Sequence, residues 1–366
     1  MSSTEPTSHT PTPHTPAPEG RSSNGPAPHS IPLDGPVRIG LIGGGNIARA
    51  HLRGYAALGT RARVTAIADT DAETLAIRTA ETGATGYIDF LELIASAEVD
   101  AVDICLPHHL HHRAIVAAAE AGKHILCEKP LCLTAEEGRS VREAVRRAGV
   151  TLMCAHNKLF LPAVAKAKEL VDSGALGTIH GVRTTDEFFN DFDPATMGWR
   201  SDAATSGGGE YIDTGYHPTY LMMHLMGARP AAVFAMLSTH RLTFMDGEDS
   251  AQVLVRFENG SVGQLATSWA HPKAPGTERF SVVGEKGSLS SDGTTLRVTL
   301  RESEAEHVYQ YKPLDPFVAE IADFVDCLTT GRRPLHTEAE GIDVLSIILA
   351  AYRSARSGAL ETIEMI

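Results

Sequence analysis

The chain has 366 residues, 43% of them hydrophobic and 21% charged, and its 45 acidic against 32 basic side chains give a net charge of −13. That balance excludes a protein that works by neutralising nucleic-acid phosphates, and no apolar run reaches the ~20 residues of a membrane-spanning helix. Five scattered cysteines without a CxxC pair exclude a disulfide framework and fit a reducing, cytoplasmic setting, while the length provides two or three domain-sized units.

Nine of the 20 prolines fall within residues 1–36, among Ser, Thr, Gly and three histidines. With almost nothing apolar to bury, this stretch cannot offset the entropy of ordering, and residues 1–36 are predicted to be a disordered tail. It lacks the apolar core of a secretory signal.

From Val37 to about Asn157, short apolar runs alternate with amphipathic ones. Strands are predicted at Val37–Ile42, Val64–Ala68, Val102–Leu106, His124–Cys127 and Thr151–Ala155. Helices are predicted at 46–58 and 72–81, up to Ala121, and from a Thr134/Glu137 capping box to Gly149. This alternation implies a parallel, doubly wound α/β sheet. Beyond Asn157 comes a helix at 162–173, then runs rich in Val, Thr and Phe. They lie at 179–189, 233–239, 252–258, 261–269, 280–283, 296–300 and 308–311, with a hairpin signal at Asn259-Gly260. This reads as an α+β unit, residues 158–366, with a large, mostly antiparallel open sheet. Helices at 317–328 and 337–357 close the chain.

Three motifs carry chemistry. Gly43-Gly44-Gly45-Asn46-Ile47-Ala48 follows a strand and opens a helix, as G-x-G-x-x-G/A does where backbone N–H groups meet a pyrophosphate. Asp69 ends the next strand, 24 residues beyond Gly45, where an acid grips a ribose diol and repels a 2′-phosphate; NAD is therefore expected over NADP. Glu128-Lys129-Pro130 ends the fourth strand, placing Lys129 at the cleft where ligands of open α/β sheets bind. On residue type alone an ordinary surface lysine with a neighbouring ion pair is the favoured reading. Finally, Gly207-Gly208-Gly209 leads to Asp213 and His217, four apart and hence expected on one helix face. Such a histidine takes a hydroxyl proton as hydride leaves the adjoining carbon.

In this order and spacing the motifs resemble the Gfo/Idh/MocA oxidoreductases over about Val37 to Ser357. Supporting segments are Pro107 to His111 and Ala121-Gly122-Lys123-His124. The resemblance implies an NAD(P)-binding Rossmann domain (37–157), followed by a substrate domain whose open sheet makes a homodimer or homotetramer. The final helices are expected to pack back on the Rossmann domain. It implies hydride transfer between nicotinamide and a secondary hydroxyl or ketone of a sugar or cyclitol, with Lys129, Asp213 and His217 catalytic. Gly43, Gly45, Asn46, Ile47, Asp69, Pro107, His108, His111, Glu128 and Lys129 would hold the cofactor. Trp199, Arg200 and Tyr216 join the catalytic three as expected substrate contacts. His108 and Lys158 depart from the family's usual Asn and Arg. The His108, His109, His111, His112 cluster is read as cofactor-side packing and not as a metal site, because no Cys or carboxylate completes a ligand set. Two alternatives remain open: a redox-neutral epimerase or lyase with tightly held NAD, and a non-catalytic dinucleotide sensor.

Overall fold

The computed structural model describes residues 35–272, 278–303 and 305–366. The predicted N-terminal tail lies outside the described residues, apart from its last two positions.

The first half is β1 (Val37–Ile42), α1 (Asn46–Ala57), β2 (Ala62–Ala68), α2 (Ala72–Thr82), β3 (Thr85–Tyr87), α3 (Phe90–Ala95), β4 (Ala101–Ile104), α4 (His108–Glu120), β5 (His124–Glu128), α5 (Ala135–Ala148) and β6 (Leu152–Ala155). Its six strands are all parallel, in the order β3-β2-β1-β4-β5-β6. That is the doubly wound order in which strands leave β1 in opposite directions and open a crevice at their carboxyl ends. Strands β4, β5 and β6 are buried at every residue, which is why they read as continuous apolar runs without alternation. The Thr134/Glu137 capping box forms as predicted.

The second half opens with α6 (Pro162–Asp172) and β7 (Ile179–Glu187). Three helices follow, α7 (Ala203–Ser206), α8 (Glu210–Asp213) and α9 (Tyr216–Met226). Then come β8 (Pro230–Ser238), β9 (Ser250–Phe257), β10 (Val262–Ser268), β11 (Phe280–Gly284), β12 (Gly287–Ser291), β13 (Thr295–Leu300) and β14 (His307–Gln310). The chain ends with α10 (Pro316–Thr330), α11 (Glu338–Ser357) and β15 (Glu361–Thr362). Nine strands form one sheet, β14-β13-β12-β11-β7-β10-β9-β8-β15, antiparallel except where β7 meets β10. The Asn259-Gly260 hairpin joins β9 to β10. β9 alternates buried and exposed residues, the mark of a sheet with one face on the core.

Helix α10 does not stay with its own sheet. Ile321, Phe324, Val325 and Leu328 share one apolar cluster with Val37, Ile39 and Leu41 of β1 and Tyr55 of α1. A Cβ at Gly54 would come 2.4 Å from Ile321 Cδ1, so α1 and α10 approach at glycine distance. Burying Phe324 alone is worth about 2 kcal/mol.

Candidate active site

The turn after β1 is shaped for close backbone approach. Gly43 has φ +93°, and a Cβ there would lie 2.5 Å from the Cys105 carbonyl oxygen. Gly45 caps α1 with no side-chain hydrogen bond, and nothing lies within 4 Å of the point where its Cβ would be. The first N–H groups of α1 therefore face open space at the positive end of the helix dipole, which suits an anion. Asn46 is exposed at this helix start, and Ile47 packs its side chain against the core. Asp69 stands just past β2, accepting from Gly44 N–H at 2.7 Å and from Asp71 N–H at 2.8 Å. Those two bonds fix the carboxylate beside the glycine turn, and its remaining lone pairs are free to accept from a diol.

Lys129, directly after β5, is buried and points at α8. Its Nζ donates to Asp213 Oδ1 at 2.8 Å and to the Asp213 carbonyl oxygen at 2.9 Å. An ammonium has three hydrogens, so one donor is left for a substrate hydroxyl. Arg200 Nε donates to the other carboxylate oxygen, Oδ2, at 2.8 Å. Burial raises the Asp213 pKa, but the Lys129 and Arg200 cations outweigh it and hold this carboxyl far below the usual range. Arg200 in turn lies over the Trp199 ring, 4.3 Å from its centroid, and the Trp199 ring meets His108 edge-on at 4.4 Å.

His217 is placed differently from the sequence expectation. Asp213 and His217 do not share a helix: Asp213 ends α8, and His217 is the second residue of α9. The break falls at Thr214-Gly215, where the Gly215 N–H donates to the Glu210 carbonyl at 3.0 Å, a step too wide for an α-helix. Asp213 consequently serves the two cations. His217 Nδ1 meets the Tyr220 hydroxyl at 2.9 Å. That hydroxyl accepts from Lys158 N–H at 3.1 Å and reaches Asn157 Oδ1 at 3.3 Å. With the phenol donating to Asn157, Nδ1–H donates to the phenol oxygen and Nε2 is left as a base. Burial, then the Lys158 and Lys129 cations, push the His217 pKa well below its ordinary value against the pull of Asp213, so the imidazole is neutral at pH 7.

The glycine turn before α8 is required by packing: a Cβ at Gly209 would lie 2.0 Å from the Glu248 carbonyl oxygen. This contact presses the turn onto the chain just before β9 and fixes where α8 begins.

Known proteins match this arrangement. Residues 37–156 match the oxidoreductase family with an NAD-binding Rossmann fold, and residues 164–290 match the GFO/IDH/MocA C-terminal domain. The chain belongs to the GFO/IDH/MocA oxidoreductase family. The levoglucosan dehydrogenase of Pseudarthrobacter phenanthrenivorans is 33% identical over 69% of this chain and 73% of its own. The myo-inositol 2-dehydrogenase of Thermotoga maritima is 29% identical over 87% and 96%. A solved levoglucosan dehydrogenase in complex with NADH and levoglucosan superposes with a TM-score of 0.82 at 28% identity, covering 89% of this chain and 99% of that one. The N-terminal half is thus an NAD-binding Rossmann domain, and the uncapped α1 terminus, the open space at Gly45 and Asp69 fit that cofactor.

Two residues expected at this family's ligands face elsewhere. Glu128 was expected at the cofactor, but its Oε1 turns inward to His51 Nε2 at 3.2 Å and its Oε2 accepts from Lys129 N–H at 3.1 Å. His51 is clamped on its other side by Asp103 at 2.8 Å. Burial lowers its pKa, but the adjoining Asp103 carboxylate outweighs this and raises it well above the ordinary value. Tyr216 was expected to line the substrate site. It is fully buried, and its hydroxyl donates to the Gly341 carbonyl at 2.5 Å, facing α11.

The four histidines near Pro107 have separate tasks. His108 Nδ1 meets the Ser206 carbonyl at 2.9 Å, His111 spans the Pro130 and Leu106 carbonyls at 2.7 Å each, and His112 reaches Ser140. His109 is exposed. Pro107 caps α4 between these groups and β4.

Sequence reasoning missed Tyr220, Asn157, Asp186 and Arg279. The His217/Tyr220 spacing of three on a helix was available as a signal. Asp186 and Arg279 gave none. Asp186 pairs with Lys158 and, at 3.4 Å, with Arg279, contacts 28 and 93 residues apart in sequence.

Proposed function

We propose that this protein is an NAD-dependent dehydrogenase that moves a hydride between nicotinamide and a secondary hydroxyl or ketone of a sugar, sugar derivative or cyclitol. The observation that carries the reading is the convergence of Lys129 from the parallel sheet with Asp213 and the neutral His217 from α8 and α9. Bound NAD supplies the hydride acceptor. Lys129 directs its remaining N–H at the reacting hydroxyl, and Asp213 fixes that ammonium. His217 takes the hydroxyl proton on Nε2 as the carbon is oxidised, and returns it in reduction. Trp199 and Arg200 wall the cleft beside His108.

The relatives support this reading through their substrates, levoglucosan and myo-inositol by name. The test is a panel of free sugars, sugar acids, sugar phosphates and cyclitols with NAD and NADP, scored by NADH absorbance. Turnover of at least one member is expected. Bound cofactor with no net NADH from any member would replace this reading with the redox-neutral one. Bound cofactor with no turnover, and Ala at each of Lys129, Asp213 and His217 without metabolic effect, would leave the sensor reading.

We also infer a homo-oligomer formed through the open sheet, in a reducing compartment. Phe234, Met236, Leu254, Val262 and Val283 share one face by register, and Met236 is 65% exposed. The five cysteines are free and buried. Light scattering on the eluted protein tests the assembly, with a dimer or tetramer mass expected.

A further inference from the structure

Behind Lys129 lies a buried chain of charged groups that proton transfer by His217 does not use. His51 is fully buried on α1, and both of its ring nitrogens meet carboxylates. Nδ1 lies 2.8 Å from Asp103 of β4, and Nε2 lies 3.2 Å from Glu128 of β5. An ionised carboxylate only accepts, so a ring serving both needs two N–H donors and is an imidazolium. The raised pKa of His51 agrees with this. The other groups around the ring carry no charge at pH 7. Burial pushes the Cys105 thiol up to about 12, and pushes Glu320 of α10 and Tyr55 of α1 well above their ordinary values. Burial also raises the Glu128 pKa, but His51 and then Lys129 bring it below the ordinary value, so this carboxyl is ionised.

Glu128 also touches the backbone of the catalytic lysine, accepting from the Lys129 N–H at 3.1 Å. Pro130 has no N–H, so this is the last backbone donor at the end of β5, and Glu128 fixes the peptide from which the Lys129 side chain leaves. Lys129 therefore stands between two buried carboxylates, Glu128 beside it in sequence and Asp213 from α8. Among the described residues its ammonium bonds Asp213 alone. A buried carboxylate without a partner is costly and is driven toward the nearest cation. What stops Glu128 from competing for Lys129 is that its Oε1 is already held by His51.

We propose that His51 is a positioning residue for hydride transfer: it holds Glu128 away from the Lys129 ammonium, which is thereby left to Asp213 and the reacting hydroxyl. The inference rests on the dehydrogenase reading for the hydroxyl. The clamp on Glu128 stands apart from that reading, because its members touch neither substrate nor nicotinamide.

The experiment compares the full-length wild type with His51→Gln and with His51→Gln/Glu128→Gln. A glutamine amide donates from one nitrogen and turns its oxygen to the other carboxylate. Asp103, the nearer partner, keeps it, and Glu128 is released. In crystal structures with NADH, Lys129 Nζ bonds Asp213 in the wild type, moves onto Glu128 in His51→Gln, and returns to Asp213 in the double variant. Turnover is read as NADH formed from levoglucosan, myo-inositol and D-glucose. On each substrate that the wild type oxidises, kcat falls about 10–100-fold in His51→Gln and recovers by about fivefold or more in the double variant. NADH affinity, from fluorescence titration, changes by less than about threefold throughout, because the α1 terminus and Asp69 are untouched. Lys129 Nζ still on Asp213 in His51→Gln overturns the proposal, as does a double variant no faster than the single one, which is what a merely structural role gives. If His51→Gln does not fold, ¹⁵N NMR of the wild type decides. Both His51 nitrogens carry protons at about pH 7.5, where an ordinary histidine is mostly neutral, and a neutral ring overturns the proposal. The two readings fail separately. No NADH from any substrate, with Nζ moving as described, removes the dehydrogenase and keeps the clamp. NADH formed by a His51→Gln protein whose Lys129 has not moved does the reverse.

Discussion

The two sheets of the protein solve the same problem of burial in opposite ways. In the Rossmann sheet, β4, β5 and β6 are buried along their whole length, with helices on both faces. In the nine-stranded sheet, β9 alternates, with Val253, Val255 and Phe257 on the core and Leu254 and Arg256 outside. A sheet covered on both faces has only its strand ends left for ligands, so chemistry collects at the carboxyl ends of β1, β2 and β5. A sheet covered on one face has a second face free for assembly. The proposed catalytic side chains lie where the first arrangement meets the helices packed on the second.

The largest expected effects come from the doubly covered side. Phe324→Ala empties a fully buried site between α10 and the Rossmann strands, and should cost about 3–5 kcal/mol in urea unfolding. Leu254→Ser on the open face should change monomer stability by less than about 0.5 kcal/mol while shifting the oligomer toward monomer in light scattering. If Phe324→Ala is as mild as Leu254→Ser, the contrast between the sheets fails.

At the junction, His217→Ala should lower turnover by about 10²–10⁴-fold with a melting temperature near wild type. Asp69→Ser sharpens the account of the β2 terminus: NAD affinity should fall about tenfold, about 1.4 kcal/mol, and NADP should gain relative to NAD. An unchanged NAD to NADP ratio would show that Asp69 does not read the ribose.

The histidines divide along the same junction. His108 is held at about 3 and His336 at about 4, by burial in each case, against about 6.5 in the unfolded chain. Below pH 6.5 the unfolded chain takes protons that the folded chain refuses, so stability is lost as pH falls from about 6.5 toward 4. Each such histidine contributes up to about 1.4 kcal/mol per pH unit. His51, raised well above its ordinary value despite burial, acts with the opposite sign. Its contribution is complete below pH 6.5 and is lost as pH rises through the folded value. Melting curves between pH 7 and 5 should flatten in His336→Gln, and an unaltered acid limb would contradict the assignment.

Much of this organisation was legible in the sequence because its signals are local. The Gly43–Ala48 turn, the Thr134 capping box and the Asn259-Gly260 hairpin each declare themselves within six residues. β3 and β12 escaped notice because one has three residues and the other is Gly287-Ser288-Leu289-Ser290-Ser291, without the β-branched residues that mark strands. The helix break between Asp213 and His217 was hidden by a spacing that suits a continuous helix. The inward turn of Glu128 depends on His51, 77 residues away, and the pairing of Asp186 with Arg279 spans 93. No window of sequence contains such contacts.

The central claim is that Lys129, Asp213 and His217 serve hydride transfer from a carbinol carbon to NAD. The most direct measurement supplies sugars, sugar acids and cyclitols deuterated at their carbinol carbons to the wild-type protein and to Lys129→Met, and follows the label into the reduced nicotinamide. The account predicts deuterated NADH from at least one substrate with the wild type, and a rate lower by about 10²–10⁴-fold with the variant. Bound cofactor that never acquires label, or a variant as fast as the wild type, would contradict it.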